Sequence, residues 1–197
     1  MPPPVSLDAL ATDIVARSGL RFSVATNHRD RDEGYRLRHL AVIDQGWAGA
    51  DPAEDDREYD AYDRRALHVI GWDGETAVAT GRLVAPPGSL PTEDACALTV
   101  EPLGRVVDVG RMTVSHSHQS ASHSAFVALL ARLYLEVRAA GFEVACGMMS
   151  PRARALLRLL GLQAEVLGGD RMYWGELRAP VRFSVFVNAT PTAARWQ

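Results

Sequence analysis

Between Arg105 and Met148 the chain reads as strand, long helix, strand, and no other stretch limits its topology so tightly. Arg105 to Val114 carries Val106, Val107, Val109, Met112 and Val114, a β-rich run. Ser122 to Ala140 places Phe126, Leu129, Leu130, Leu133, Tyr134 and Val137 at helical spacing. Phe142 to Met148 is then short and apolar enough for a buried strand. A strand, crossover helix and strand in one sheet is right-handed and leaves the two strands parallel. All-helical and wholly antiparallel folds are thereby excluded.

The flanking elements complete a mixed α/β chain. Ser6 to Arg17 reads as a helix with Ser6 as its cap and Gly19 as its stop, Leu20 to Ala25 as a strand, and Asp30 to Ile43 as a helix. Ala66 to Trp72 and Thr76 to Val84 flank Asp73-Gly74, a dipeptide suited to the positive φ of a tight hairpin turn. After Pro86-Pro87-Gly88 a loop is expected as far as Glu101. Pro151 to Leu160 is a short helix capped by Ser150 and closed by Gly161. Strand signals at Gln163 to Leu167, Arg171 to Leu177 and Val181 to Val187 finish the order. No repeat or linker divides the chain, so one domain is expected over 1–197, with a helical extension at 1–19, a core at 20–187 and a tail at 188–197.

Composition narrows the chemistry. All 21 basic residues are Arg, which rules out Schiff-base lysines, pyridoxal phosphate aldimines and a Walker-type phosphate loop. Against 24 acids they leave a net charge of -3, which argues against a nucleic-acid binder. No apolar run approaches the ~20 residues of a membrane span. The start lacks signal-peptide character, and Cys96 and Cys146 fit no metal or redox spacing, so a cytoplasmic protein is expected.

Four fragments carry the functional reading. Tyr35-Arg36-Leu37-Arg38 lies on a helix, with Gln45-Gly46-Trp47 following it. Glu58-x-Asp60-x-x-Asp63 closes a run of seven acids and one Arg between Asp51 and Asp63. Thr80-Gly81-Arg82-Leu83 and Asp108-Val109-Gly110-Arg111 lie in strands. In this order they resemble the acyl-homoserine-lactone (autoinducer) synthases and the long-chain N-acyl amino acid synthases, over roughly residues 35 to 185. Both families have the GNAT acyltransferase fold. The resemblance implies an α+β sandwich type of α/β fold, with a mixed, mostly antiparallel sheet flanked by helices. Asp108 stands where the autoinducer synthases have Glu, and Val42 where they have an aromatic residue. Both changes fall where S-adenosylmethionine would sit. His68 and Val109-Gly110-Arg111-Met112-Thr113-Val114 lie closer to the N-acyl amino acid synthases.

The implied reaction is aminolysis of an acyl thioester by a small-molecule amine. Asp108 is the candidate base, with Arg82 and Arg111 beside it, and backbone N–H groups at a bulge that Gly110 permits would serve the oxyanion. Arg38, Arg82 and Arg111 are the natural partners of Glu58, Asp60 and Asp63, and with Trp47 and His68 this network would shape the acceptor site. For the donor, Met112, Val114, Gln119, Ser122 and Ser124 are placed to meet phosphopantetheine at the start of the long helix, where serines replace the usual glycines. The co-substrate is then acyl-CoA or an acyl carrier protein, and no tightly bound cofactor is expected. Six Arg in 151–182 would attract an acidic carrier. His116, His118 and His123 lack the carboxylates or thiols that would complete a metal site. Two other functions fit the same residues: an acyl-homoserine-lactone synthase using S-adenosylmethionine, and a non-catalytic GNAT-like module that binds a metabolite.

Overall fold

The computed structural model describes residues 6–47, 55–119, 123–159 and 164–185. Ser122, Gly161, Gln163, Val187, the tail at 188–197 and the acids Asp51 and Glu54 lie outside the described residues.

Helix α1 (Leu7–Arg17) starts at Ser6, whose hydroxyl accepts from the Ala9 amide at 3.1 Å. Strand β1 (Arg21–Val24) leads to α2 (His28–Gln45), which begins earlier than its apolar residues suggest because Asn27 caps it, accepting from the Asp30 amide. Gly46, with φ +61°, ends α2 in the left-handed conformation. The hairpin β2 (Ala66–Asp73) and β3 (Thr76–Val84) turns at Asp73-Gly74 as expected.

The stretch expected to be loop contains a short helix, α3 (Pro91–Cys96), with Pro91 at its first turn and Glu93 and Asp94 beside the free N–H groups. Strand β4 (Val106–Val114), helix α4 (Ser124–Ala139) and strand β5 (Val144–Met149) form the crossover, and β4 and β5 are parallel. Helix α5 (Pro151–Leu159) is capped by Ser150. The last strands are β6 (Glu165–Val166), β7 (Arg171–Tyr173) and β8 (Glu176–Ser184). The strand expected over Arg171 to Leu177 is therefore a hairpin whose turn is Trp174-Gly175.

The eight strands form a sheet in the order β1-β2-β3-β4-β5-β8-β6, with β7 paired to β8, and every pairing except β4–β5 is antiparallel. On one face α4 packs Leu129, Leu133 and Val137 against Val69, Leu83 and Val107. A Cβ on Gly81 would lie 2.7 Å from Leu133, so the glycine lets α4 sit close on β3. On the other face α2 approaches through Gly34, where a Cβ would meet Ile70 at 2.8 Å. Burying several such side chains, each contributing about 1.5–3 kcal/mol, drives the layering.

Strands β4 and β5 pair only from Val106–Val144 to Asp108–Cys146. At the next position the carbonyl of Val109 occupies the space where a Cβ of Gly147 would be, 2.5 Å away. Beyond it Met148 and Met149 pair with β8 alone, and the two strands part.

Candidate active site

A cavity of about 250 Å³ opens where β4 and β5 separate. One end is polar, with Arg38, Glu58, Arg82, Asp108 and Arg111; the other is apolar, with Met112, Phe126, Met148, Met149 and Ala153. Trp47 and the β7–β8 hairpin residues Tyr173, Trp174, Glu176 and Arg178 complete the wall.

The polar end is built from three arginines and three acids on four separate elements. Arg38, from α2, ion-pairs with Glu58 through Nε and grips Asp63 with both terminal nitrogens at 2.8 and 3.1 Å. Arg82, from β3, reaches Asp60 at 2.6 Å and Asp63 at 3.1 Å. Arg111, from β4, holds Glu58 at 3.1 Å and Asp60 at 3.0 Å. Arg38 and Arg82 are only 1% exposed. Burial on this scale would be prohibitive for single charges, and each arginine meets two carboxylates. Burial works against ionisation of Asp63, yet Arg38 and Arg82 hold its carboxyl far below the usual range.

The spacing of these acids also has a local cause. Asp60 and Asp63 form a capping box around the single 3-10 turn Ala61–Arg65, with Asp60 accepting from Tyr62 and Asp63 accepting from the Asp60 amide at 2.7 Å. The turn thereby helps to orient Asp60 and Asp63 toward the arginines.

Asp108 lies on the same sheet face as Arg82, next to the β4–β5 parting. Its Oδ2 accepts from the Thr92 amide at 2.8 Å and from the Cys146 thiol at 3.7 Å. Burial pushes its pKa up, opposed by Thr92 and by the charge of Arg82. The same burial, with Asp108 alongside, pushes the Cys146 thiol far above its ordinary range and leaves it inert as a nucleophile. Space is open over Gly110, where a Cβ would have only Asp108 Oδ1 within 4 Å, at 3.5 Å.

The expected bulge in β4 is present, at Arg111 and Met112. Arg82 pairs with Gly110 and Thr80 with Thr113, leaving Arg111 and Met112 opposite Gly81. The positive φ falls on Arg111, at 49°, and not on Gly110. That conformation is held from outside the strand: the Arg111 guanidinium lies 4.0 Å from the centre of the Trp174 ring and 3.4 Å from the Tyr173 hydroxyl.

Residues 37–129 match the family described as acetyltransferase (GNAT) domain. The chain has the GNAT acyltransferase fold. It is similar in structure to MesI, a CoA-dependent acyl-homoserine lactone synthase, with 21% identity and a TM-score of 0.70 over 84% of this chain and 89% of that one. It is similar to BjaI, a synthase of the same description with SAM and isopentyl-CoA, at 18% identity and a TM-score of 0.68 over 85% and 83%. FeeM, an N-acyl amino acid synthase from uncultured soil microbes, matches at 13% identity and 0.64 over 90% and 94%. At these identities the likeness establishes the fold. No curated protein matches the chain in sequence.

Of the residues singled out in the sequence, Arg38, Trp47, Glu58, Arg82, Asp108, Arg111 and Met112 line the cavity. Asp60 and Asp63 stand behind its wall as partners of the arginines. His68 is buried beneath them, its Nε2 3.4 Å from the Asp63 carbonyl. Val114 is in the core and its carbonyl accepts from the Gln119 side chain at 3.0 Å, so any contact Val114 offers a donor is through the backbone. Ser124 is the first residue of α4.

His118 is held between Asp73 and Ser115, at 3.1 and 3.0 Å, and His123 precedes α4 with a positive φ. Among the described residues no His, Cys, Asp and Glu group could hold a metal, and no helix is long and apolar enough to cross a membrane. Thr92, Tyr173, Trp174 and Glu176 also line the cavity and were not singled out in the sequence. For Thr92 a signal was present: Pro91 followed by Glu93 and Asp94 is a helix start.

Proposed function

We propose that the enzyme transfers an acyl group from an acyl thioester to the amine of an amino acid or similar small metabolite. The observation that carries this reading is the two-ended cavity at the β4–β5 parting, with Asp108 at its polar end and an apolar pocket opposite. The amine nitrogen attacks the thioester carbonyl from the space over Gly110. Asp108 takes the amine proton, and the peptide N–H groups of Arg111 and Met112, at the bulge opposite Gly81, stabilise the oxyanion. The carbon–sulfur bond then breaks and the thiolate leaves with a proton.

The donor is the phosphopantetheine arm of CoA or of a carrier protein. The surface arginines favour CoA. Arg154 is committed to Asp170 and the Met149 carbonyl, Arg171 to the Ala95 carbonyl, and Arg182 to Glu165 and the Glu101 carbonyl. A carrier protein would find mainly Arg152, Arg158 and Arg171, whose bond to a neutral carbonyl leaves its charge intact, to steer by.

Incubation with acyl-CoAs of graded length and a panel of amines, read as free thiol and as product mass, tests the proposal. Thiol release is expected, falling about 100-fold or more in Asp108→Asn while the fold is retained. Activity should also fall as pH drops through the raised pKa of Asp108. Absence of thiol release with every donor would show a binding module, and methylthioadenosine as co-product would show a lactone synthase.

A further inference from the structure

We propose that Arg178 is the binding residue for an acceptor carboxylate, which makes amines bearing a free carboxylate the substrates of the cavity. The proposal rests on the acyl-transfer reading above and adds to it the feature by which the acceptor is chosen.

The argument is a charge inventory. Arg38, Arg82 and Arg111 are each shared between two carboxylates, and three arginines against Glu58, Asp60 and Asp63 leave that cluster neutral. A carboxylate arriving there would displace an existing partner. Arg178, on β8, also lines the cavity but has one carboxylate, that of Glu176, which it meets through Nε at 3.3 Å and one terminal nitrogen at 3.2 Å. Among the described residues its other terminal nitrogen, Nη1, has no partner. Glu176 is itself 42% exposed, so water competes for it. Burial, together with the like charge of Arg111, lowers the proton affinity of Arg178, whereas Arg38 and Arg82 are shifted the opposite way by their acids.

Geometry supports the same residue. The Arg178 guanidinium lies 5.1 Å from the centre of the Trp47 ring, which fixes the fork at the cavity wall. Its side chain is 19% exposed and can be reached. Arg82 offers an alternative, since its Nε is also without a partner, but that atom is sealed from any ligand. An amino acid with its amine at Asp108 and its carboxylate at Arg178 would bring one positive and one negative group to two complementary partners, leaving the three-arginine cluster undisturbed.

The test sets each proteinogenic amino acid beside its carboxamide, measuring both acylation and ligand-induced thermal stabilisation. Wild type is expected to prefer the free acid. Arg178→Gln should raise the KM or Kd of the acid tenfold or more, leaving the acyl-CoA KM unchanged and abolishing the preference over the amide. Glu176→Gln, which releases the competing carboxylate, should tighten binding of the acid. A misfolded protein cannot produce that gain, so this arm decides the matter if Arg178→Gln fails to fold. Preference for the acid surviving in Arg178→Gln, no preference in wild type, or no tightening in Glu176→Gln overturns the proposal. If no thioester is ever consumed but acid-selective binding is lost in Arg178→Gln, the acyl-transfer reading falls and the carboxylate site stands.

Discussion

His68 shows how far the buried cluster governs the protein's response to acid. Burial drives its pKa from 6.5 down to about 4, even though the Asp63 charge and carbonyl pull upward. The unfolded chain takes up a proton below pH 6.5, while the folded one refuses it until about pH 4. Stability from this histidine is therefore complete above pH 6.5 and drains away as pH falls toward 4. Between pH 7 and 5 the loss amounts to about 2 kcal/mol. Asp63 acts in the same direction but only below its ordinary value of 3.8. Urea unfolding at pH 7 and 5 should show this loss in wild type and a much flatter response in His68→Gln. An unchanged slope in the variant would place the acid sensitivity elsewhere.

At the scale of elements, the β7–β8 hairpin makes the sharpest test. Its turn residues Trp174 and Gly175 have φ of 55° and 69°, and the left-handed conformation costs a tryptophan about 1–2 kcal/mol. Asn or Asp would adopt it readily. Trp174 is kept there by its stack on Arg111, an interaction of about 0.5–2 kcal/mol. Trp174→Asn should leave the melting temperature nearly unchanged, strain relief offsetting the lost stack, while kcat/KM falls about tenfold as Arg111 loosens. Full activity in that variant would remove the hairpin from the site.

The same pair explains what could be read from sequence. The β4–α4–β5 crossover, the β2–β3 hairpin and α1 are written in local periodicity and turn chemistry, and they are found where expected. The Glu58, Asp60 and Asp63 set was legible through the order of fragments that resembles the synthases; that Asp60 and Asp63 also form a capping box is seen only in the structure. At Trp174-Gly175 the glycine marks a turn, but the positive φ of the tryptophan was not legible: the stack that holds it lies 63 residues away at Arg111. The positive φ of Arg111 likewise has its cause outside the strand, in Trp174 and Tyr173.

Taken whole, the molecule has a seam. Strands β1 to β4 are continuously paired on one side and β5, β8 and β6 on the other. Across the line between them stand three paired positions, α4, which packs Leu133 toward β3 and Leu130 toward Met149 and Val181, and side-chain contacts such as those of Arg111 with Trp174 and Arg178 with Trp47. The acceptor wall of Arg38, Arg82 and Arg111 belongs to the first side, and Trp174 and Arg178 belong to the second. A ternary complex in the cavity would thus act as a rivet between two sub-globular units. Amide hydrogen exchange should slow in β7 and β8 when acyl-CoA and acceptor are bound, by more than in β2 and β3, and uniform slowing would mean the sheet already opens as one body. Product departure would restore the looseness, so each turnover would cycle the protein between a two-part and a one-part mechanical state.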